Sequence, residues 1–129
     1  NNHIELASTP DETRQRVMQM VTDPQRMRRT DPGNPDVCNV FSMHKVFTPK
    51  EDLEMINVEC RRAGIGCVDC KKRFSENLNK NLEPFRAKRE EIGKTPDTVW
   101  DVLHDGASRA RAIAEETMVE VRAAMQLPK

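Results

Sequence analysis

Residues 60–85 read CRRAGIGCVDCKKRFSENLNKNLEPF, and this stretch decides the fold that the sequence predicts. It begins at the end of one helix, turns at Gly64-Ile65-Gly66 and continues as a long helix over about residues 68–92. Side chains suited to a core recur along that helix at helical spacing, namely Cys70, Phe74, Leu78, Leu82 and Phe85. This period predicts one buried stripe, and Gly93 should end the helix.

Helical signals continue on the amino-terminal side of this stretch. Thr9-Pro10-Asp11-Glu12 is a capping box with proline at the first helical position, so it predicts a first helix that ends near residue 22. A second helix should cover about residues 36–47. Thr48-Pro49-Lys50-Glu51 has the pattern of another capping box and should open a third helix, with Gly64 as its C-cap.

The last helix should run from Thr95-Pro96 to about residue 126, with its own apolar stripe. Residues 23–36 hold three turn signals close together, which predicts an ordered proline-rich loop. No stretch alternates between apolar and polar residues as a strand would. The sequence therefore predicts an all-α fold, a helical bundle of about five helices in a single domain over residues 1–129.

Composition limits the classes of protein to which the chain can belong. Its 129 residues include 21 Lys and Arg against 21 Asp and Glu, which argues against a free-standing nucleic-acid module but leaves room for a local basic face. No apolar run approaches the roughly 20 residues that a membrane span needs, and the start has no secretory signal. Because the chain lacks an initiator Met, we expect it to begin inside a longer, cytoplasmic protein.

The four cysteines follow the spacing Cys38-x21-Cys60-x6-Cys67-x2-Cys70. Cys67 and Cys70 lie three residues apart on a first helical turn, so both thiols can face the same side. Cys60 ends the preceding helix and faces the same glycine turn, and Cys38 starts the second helix. The spacing thus allows three close ligands and one distant fourth ligand for an inorganic group.

Three interpretations of these cysteines remain open from the residues: free buried thiols, a disulfide framework, or an inorganic site. Nothing indicates export, which disfavours disulfides. Gly64 and Gly66 would let the backbone pass close to a bulky group, and flanking basic residues would lower the pKa of the thiols. Zinc and iron–sulfur clusters both accept four thiolates, but zinc sites usually show two CxxC pairs and this chain has one. The pattern therefore favours a cluster.

Several separate segments, in the same order, resemble bacterial tryptophanyl-tRNA synthetases. They are Thr22-Asp23-Pro24, Arg29–Pro35 (RTDPGNP), Val40-Phe41 with His44, Arg61–Lys72 (RRAGIGCVDCKK), the positions Leu78, Asn79, Leu82, Pro84 and Arg86, and the last helix from Gly106 to Met118. The HIGH-type and KMSKS motifs of that family, which activate the amino acid with ATP, are not in this chain. The resemblance is therefore to the carboxy-terminal part, with residues 1–22 as the helix that follows KMSKS and 23–129 as the anticodon-binding domain.

The resemblance implies a role in binding and no catalytic residue in this chain. The parent enzyme would be a homodimer that joins tryptophan to tRNA(Trp), using ATP in its own catalytic domain, and this fragment alone would be inactive. A subset of the family has a similar cysteine pattern that holds a [4Fe-4S] cluster near the anticodon-binding region. This likeness implies a [4Fe-4S] cluster as the cofactor, with zinc as the alternative, on Cys38, Cys60, Cys67 and Cys70.

The expected contacts with the anticodon region of tRNA(Trp) are basic side chains: Arg26, Arg28, Arg29, Arg61, Arg62, Lys71, Lys72 and Arg73. The competing interpretation is that they balance the charge of the cluster and solvate a helix face. Two other functions remain open: a stand-alone zinc or iron–sulfur helical module that binds nucleic acid or protein, and a structural domain with idle cysteines. We interpret His44 and His104 as ordinary histidines with satisfied hydrogen bonds, and Trp100 as a packed or half-buried side chain.

Overall fold

The computed structural model describes residues 3–128, in which it contains five α-helices, one short 3₁₀ turn and no strand. The helices are α1 (Pro10–Gln19), α2 (Asn39–Phe47), α3 (Lys50–Arg61), α4 (Cys67–Gly93) and α5 (Pro96–Ala124), and the 3₁₀ turn is Pro35–Val37. The all-α prediction is confirmed. The ends of the predicted domain, Asn1, Asn2 and Lys129, lie outside the described residues. No helix within 3–128 combines the length and the apolar character needed to cross a membrane.

The start of α1 is the capping box that the sequence predicts. The Glu12 amide donates to the Thr9 hydroxyl at 3.3 Å, and the Thr9 amide donates to the Glu12 carboxylate at 2.8 Å. These bonds satisfy two amide groups that a helix start leaves without partners. The helix ends at Gln19, before the predicted stop near residue 22, because Met20 already has extended backbone angles.

The predicted capping box at the start of α3 is wrong. Pro49 is the N-cap of that helix, and no side chain caps it. Thr48 is buried, and its hydroxyl pairs with His44 Nδ1 at 2.8 Å and accepts from the Asn77 amide at 3.0 Å. Buried polar groups must find partners, so the hydroxyl is used to join α2 to α4 instead of to cap α3.

The end of α3 also differs from the prediction, which made Gly64 the C-cap. Arg62 is the C-cap, and Ala63 takes the left-handed conformation with φ 61°. The Gly64 amide donates to the Glu59 carbonyl at 2.8 Å, and the Ala63 amide donates to the Cys60 carbonyl at 3.2 Å. This pair of bonds is a Schellman motif. Its left-handed position is usually a glycine, but here it is Ala63, and Gly64 is the next residue.

A single core fills the first of two compact units, Asn1–Ala87. Its largest buried apolar side chains come from four helices and the turn before α4: Val17, Val40, Phe41, Ile56, Ile65, Phe74, Leu78 and Leu82. Phe85 was predicted to continue the buried stripe of α4, but it is 63% exposed. Helix α1 is fastened to α4 by the Lys71 ammonium, which donates to the Met18 carbonyl at 2.9 Å.

The second unit, Lys88–Lys129, contains the end of α4 and all of α5. No residue of α5 is buried, and its apolar stripe is exposed. Trp100, expected as a packed or half-buried side chain, is 60% exposed, so that prediction is wrong. The predicted boundary at residue 22 comes from the family resemblance and not from burial or packing, so it stays a prediction.

Candidate functional site

Three helices bring the four cysteines to one place, which we call the cysteine cage (Cys38, Cys60, Cys67 and Cys70). Cys38 is the N-cap of α2, Cys60 lies in the last turn of α3, and the other two lie in the first turn of α4. Burial, and then the other three thiols, raise the pKa of Cys70 to about 12, against the lowering effect of Arg26. Cys38, Cys60 and Cys67 therefore all lie near enough to Cys70 for their charge to act on its pKa.

The protonation of the cage limits what it can do chemically. All four cysteines are free thiols. Burial also raises the pKa of Cys60, with Arg26 opposing it. A buried thiol with a pKa of about 12 keeps its proton at neutral pH and is a poor nucleophile, whereas coordination to a metal removes the proton outright. The Cys70 thiol is therefore not suited to attacking a substrate.

The part of the chain that the structure describes holds no ready-made site for one metal ion. A single zinc ion with Zn–S bonds of about 2.3 Å holds its four sulfurs about 3.8 Å apart. Within residues 3–128, no group of three or more His, Cys, Asp or Glu side chains is arranged to hold one ion as it stands. The four thiols would have to rearrange to hold a single ion.

A glycine distant in sequence makes room beside the cage. The Gly33 amide donates to the Cys60 carbonyl at 2.9 Å, and a Cβ built on Gly33 would lie 2.6 Å from the Cys60 sulfur. The prediction gave this role to Gly64 and Gly66. A Cβ on Gly64 would instead meet the Glu59 side chain, and one on Gly66 would meet Arg29 and Asp69.

The loop of residues 23–34, which we call the arginine loop, is organised by the carboxylate of Asp23. This side chain is buried and accepts from the Asn34 amide at 2.7 Å and from the Gln25 amide at 2.9 Å. These two hydrogen bonds to Asp23 hold the two ends of the loop together. The sequence analysis used Asp23 only as a turn signal, and an Asp before Pro carries no local sign of this longer contact.

Arg26 points from the arginine loop toward the cage. Its Nη1 lies 3.8 Å from the Cys67 sulfur, and its Nη2 donates to the carbonyls of Ile65 and Arg29, each at 2.8 Å. A positive charge here offsets the negative charge that thiolates would carry. Of the two roles considered for this residue, charge balance and tRNA contact, its position favours the first.

The other predicted tRNA-binding residues fall into groups. Lys71 is used inside the fold, on the Met18 carbonyl. Three form ion pairs: Arg61 with Asp36 at 2.7 Å, Arg62 with Glu59, and Lys72 with Asp69 at 4.0 Å. Arg28, Arg29 and Arg73 are exposed and make no ion pair with any residue from 3 to 128.

His44 is fully buried and touches the cage. Its Nδ1 pairs with the Thr48 hydroxyl at 2.8 Å, and its Nε2 lies 3.3 Å from the Cys70 carbonyl and 3.4 Å from the Cys70 sulfur. Burial lowers the pKa of His44, and the Cys70 carbonyl acts against that shift. Both ring nitrogens have partners, as predicted, but the contact with a cage sulfur was not foreseen.

Comparison with known proteins finds relatives along almost the whole chain. The tryptophan–tRNA ligase of Aquifex aeolicus is 42% identical over 128 residues, which are 98% of this chain and 32% of that protein. The Deinococcus radiodurans ligase is 50% identical over 101 residues, 78% of this chain and 31% of that protein. The Thermotoga maritima ligase is 41% identical over 127 residues, 98% and 39% respectively. The chain thus spans about a third of the length of these curated relatives, and no family model matches it.

Solved structures give the same result. The tryptophanyl-tRNA synthetase of Campylobacter jejuni superposes with a TM-score of 0.84 at 25% identity, over 98% of this chain and 40% of that chain. A second structure of that enzyme, complexed with ADP and tryptophan, matches with the same TM-score over 98% of this chain and 39% of that chain. The matched part is the carboxy-terminal helical region of these synthetases, which confirms the likeness inferred from the sequence motifs.

Proposed function

We propose that this chain, a homologue of the helical region of tryptophan–tRNA ligases, binds the anticodon region of tRNA(Trp) and holds a [4Fe-4S] cluster in its cysteine cage. The intact protein would charge tRNA(Trp) with tryptophan, using ATP in a catalytic domain outside this chain, as a cytoplasmic homodimer. No side chain of this chain is assigned to catalysis. Its contribution is to bind and position the tRNA.

The observation that carries the proposal is the packing of the arginine loop on the cysteine cage. Gly33 bonds to Cys60, and Arg26 bonds to the turn before α4, so the loop and the cage form one structure. Arg28 and Arg29 project from that loop and are exposed. Unpaired loops of RNA are bound by stacking on guanidinium planes and by phosphate contacts, which exposed arginines on a rigid support can make.

Four cysteine thiols are the ligand set that an iron–sulfur cluster usually takes, and this supports the cluster as the proposed group. Four thiols converge from three helices, Gly33 clears the side of Cys60, and Arg26 presents N–H groups and positive charge to Cys67. A cluster is wider than one zinc ion, so it holds its four sulfur ligands farther apart. When bound, it would supply a rigid crosslink among α2, α3 and α4, with no redox step assigned to it.

The tRNA part of the proposal is tested by replacing Arg28 and Arg29 together with Ala in the intact protein. We expect the affinity for tRNA(Trp) to fall about tenfold and its dependence on salt to become weaker, because phosphate contacts are lost. Fluorescence anisotropy with labelled tRNA at several salt concentrations measures both effects.

Arg109→Ala is the matched control, since Arg109 is an exposed arginine of α5 that pairs with Asp105 at 3.1 Å. It should leave tRNA affinity unchanged. A tRNA altered only in its anticodon loop should bind weakly to the wild type. It should bind to the double variant with the same weak affinity. Full affinity for tRNA(Trp) in the double variant would contradict the proposal.

A further inference from the structure

We propose that a groove beside the amino-terminal end of the described residues is the surface on which the catalytic domain of the same polypeptide docks. The groove has a volume of about 840 Å³ and is lined by the segment before α1, the end of α1, α2 and α4. We call it the amino-terminal groove, and its apolar lining includes Ile4, Leu6, Met20, Met43, Phe47 and Phe85. This inference rests on the proposed function, which places the catalytic domain outside this chain, and it names the surface that the domain covers.

The floor of the amino-terminal groove belongs to the hydrophobic core of the first unit. Leu78 and Leu82 of α4 line the groove and are buried members of that core. Met43 and Phe47 of α2 also line it, and both pack against the same core. The core is therefore open on this side, and a surface that covers the groove extends it.

Large apolar side chains at the edge of the groove stay in contact with water. Leu6 is 59% exposed, Val21 is 64% exposed and Phe85 is 63% exposed. Phe85 lies about one turn beyond the buried Leu82, so the apolar stripe of α4 becomes uncovered at the groove. Neighbouring apolar side chains that remain this open on a folded unit mark an interaction site.

The occupant is identified by where the chain enters the groove. His3, Ile4 and Leu6 line it, so the amino-terminal end of the described residues lies at its edge. The chain matches the carboxy-terminal region of relatives of which it spans about a third, so the rest of those relatives precedes the matched region. A domain attached at this edge by a short connection meets the groove at an effective concentration on the order of millimolar, far above that of a free protein partner.

The polar part of the lining indicates what the docked surface carries. Among the groove residues in the described part of the chain there is no Asp or Glu, and Arg16 carries the one permanent charge. Arg16 is exposed and forms no ion pair with any residue from 3 to 128. One arginine does not neutralise a series of phosphates, which disfavours a nucleic acid. The complementary surface is a protein face that is apolar at its centre, with a carboxylate opposite Arg16.

The first test uses the intact protein with the photoreactive amino acid benzoylphenylalanine in place of Phe85. The replacement keeps the aromatic ring, and the position is exposed, so folding should not change. Ordinary and heavy-isotope forms of this protein are mixed until their subunits have exchanged. Illumination and mass spectrometry of the crosslinked peptides then identify the partner segment and whether it belongs to the same chain. The control carries the same amino acid at Val58, which is 56% exposed on α3 and outside the groove.

We expect position 85 to crosslink to peptides of the catalytic domain, with the same isotope in both crosslinked peptides. Position 58 should give none of these crosslinks. Crosslinks between peptides of different isotopes would overturn the inference, because a second copy would then cover the groove. Crosslinks only to peptides within residues 1–129, or no crosslink at all from position 85, would overturn it as well.

A second measurement uses natural side chains. Met20 and Met43 line the groove, whereas Met27 lies outside it and is 83% exposed. In the intact protein, Leu6→Ser combined with Phe85→Ser should make peroxide oxidise Met20 and Met43 at least about tenfold faster, because the docked domain loses two apolar contacts.

Oxidation of Met27 should proceed at the same rate in the wild type and the double variant. Val58→Ser is the matched control, since it removes an exposed apolar side chain outside the groove, and it should change none of these rates. Equal oxidation of Met20 and Met43 in the double variant and the wild type would overturn the inference.

Failure of the docking and failure of the proposed function give different results. Charging of tRNA(Trp) by the intact wild type tests the proposed function without reference to the groove. If the protein charges tRNA(Trp) but position 85 gives none of the expected crosslinks, only the docking is overturned. If it does not charge tRNA(Trp), the proposed function fails, and the docking of a catalytic domain fails with it.

Discussion

Gly33 is the residue on which the contact between the arginine loop and the cysteine cage most directly depends. A Cβ at this position would lie 2.6 Å from the Cys60 sulfur and 3.3 Å from Arg26 Cδ. Its φ is not positive, so glycine is required here by packing and not by backbone conformation. Any side chain would have to displace a sulfur of the cage.

Gly33→Ala should therefore lower the free energy of unfolding by about 1–3 kcal/mol, the usual cost of overpacking, and reduce the amount of inorganic group retained. Thermal unfolding and metal analysis measure the two effects. Gly106→Ala is the control, because nothing lies within 4 Å of a Cβ there and alanine favours a helix interior by about 1 kcal/mol. Unchanged stability and metal content in Gly33→Ala would show that the cage has room that the structure does not give it.

At this scale the sequence indicated that Cys60, Cys67 and Cys70 lie near one turn, but not which side chains surround them. The spacing of Cys60, Cys67 and Cys70 is local and periodic, so it could be read directly. The contact between Arg26 and Cys67 joins residues 41 positions apart, and no local pattern indicates such a pair. The buried role of Asp23 was missed for the same reason.

The elements are defined by their ends, and the end of α3 is the least usual. Ala63 occupies the left-handed position of its Schellman motif with φ 61°, a conformation that costs a non-glycine residue about 1–2 kcal/mol. Gly64, the next residue, donates to Glu59. The turn that leads into the cage therefore contains a small backbone strain, which a glycine at this position would relieve.

Ala63→Gly should raise the free energy of unfolding by up to about 1 kcal/mol, the part of this cost left after glycine's greater entropy in the unfolded chain. Ala87→Gly, in the helical and exposed part of α4, should lower it by about 1 kcal/mol. Denaturant unfolding of both variants measures the contrast. Destabilisation of equal size at the two positions would show that the Ala63 backbone is not strained.

The capping box of α1 gives a second prediction for the elements. Thr9→Ala removes the side chain that accepts from the Glu12 amide, so it should cost about 1 kcal/mol. Thr95→Ala is its control, since Thr95 is the N-cap of α5 but makes no side-chain capping bond. We expect a clear fall in melting temperature for the first variant and almost none for the second. The opposite order would contradict the assignment of both caps.

The two predicted capping boxes show why sequence reading succeeds at one helix and fails at another. Thr9 is exposed, so its hydroxyl has only the local amide to bind. Thr48 is buried, and the tertiary partners His44 and Asn77 take its hydroxyl. A local pattern predicts local bonds correctly only where the fold offers the side chain nothing else.

For the whole molecule, the core and the cage lie together in the unit that ends at Ala87. Periodicity correctly predicted the helices and the buried stripe of α4 as far as Leu82. It also predicted an apolar stripe on α5, which is present but not buried in this chain. A period identifies an apolar face, but it does not say what covers that face.

The proposed function requires four thiols from three helices to hold one inorganic group beside the arginine loop. The most direct test is the iron, sulfide and zinc content per chain of the intact protein purified without oxygen, beside a Cys67→Ser variant. We expect about four irons and four sulfides per chain with broad visible absorbance, and loss of most of them in the variant. A wild-type protein that contains neither iron nor zinc would contradict the account.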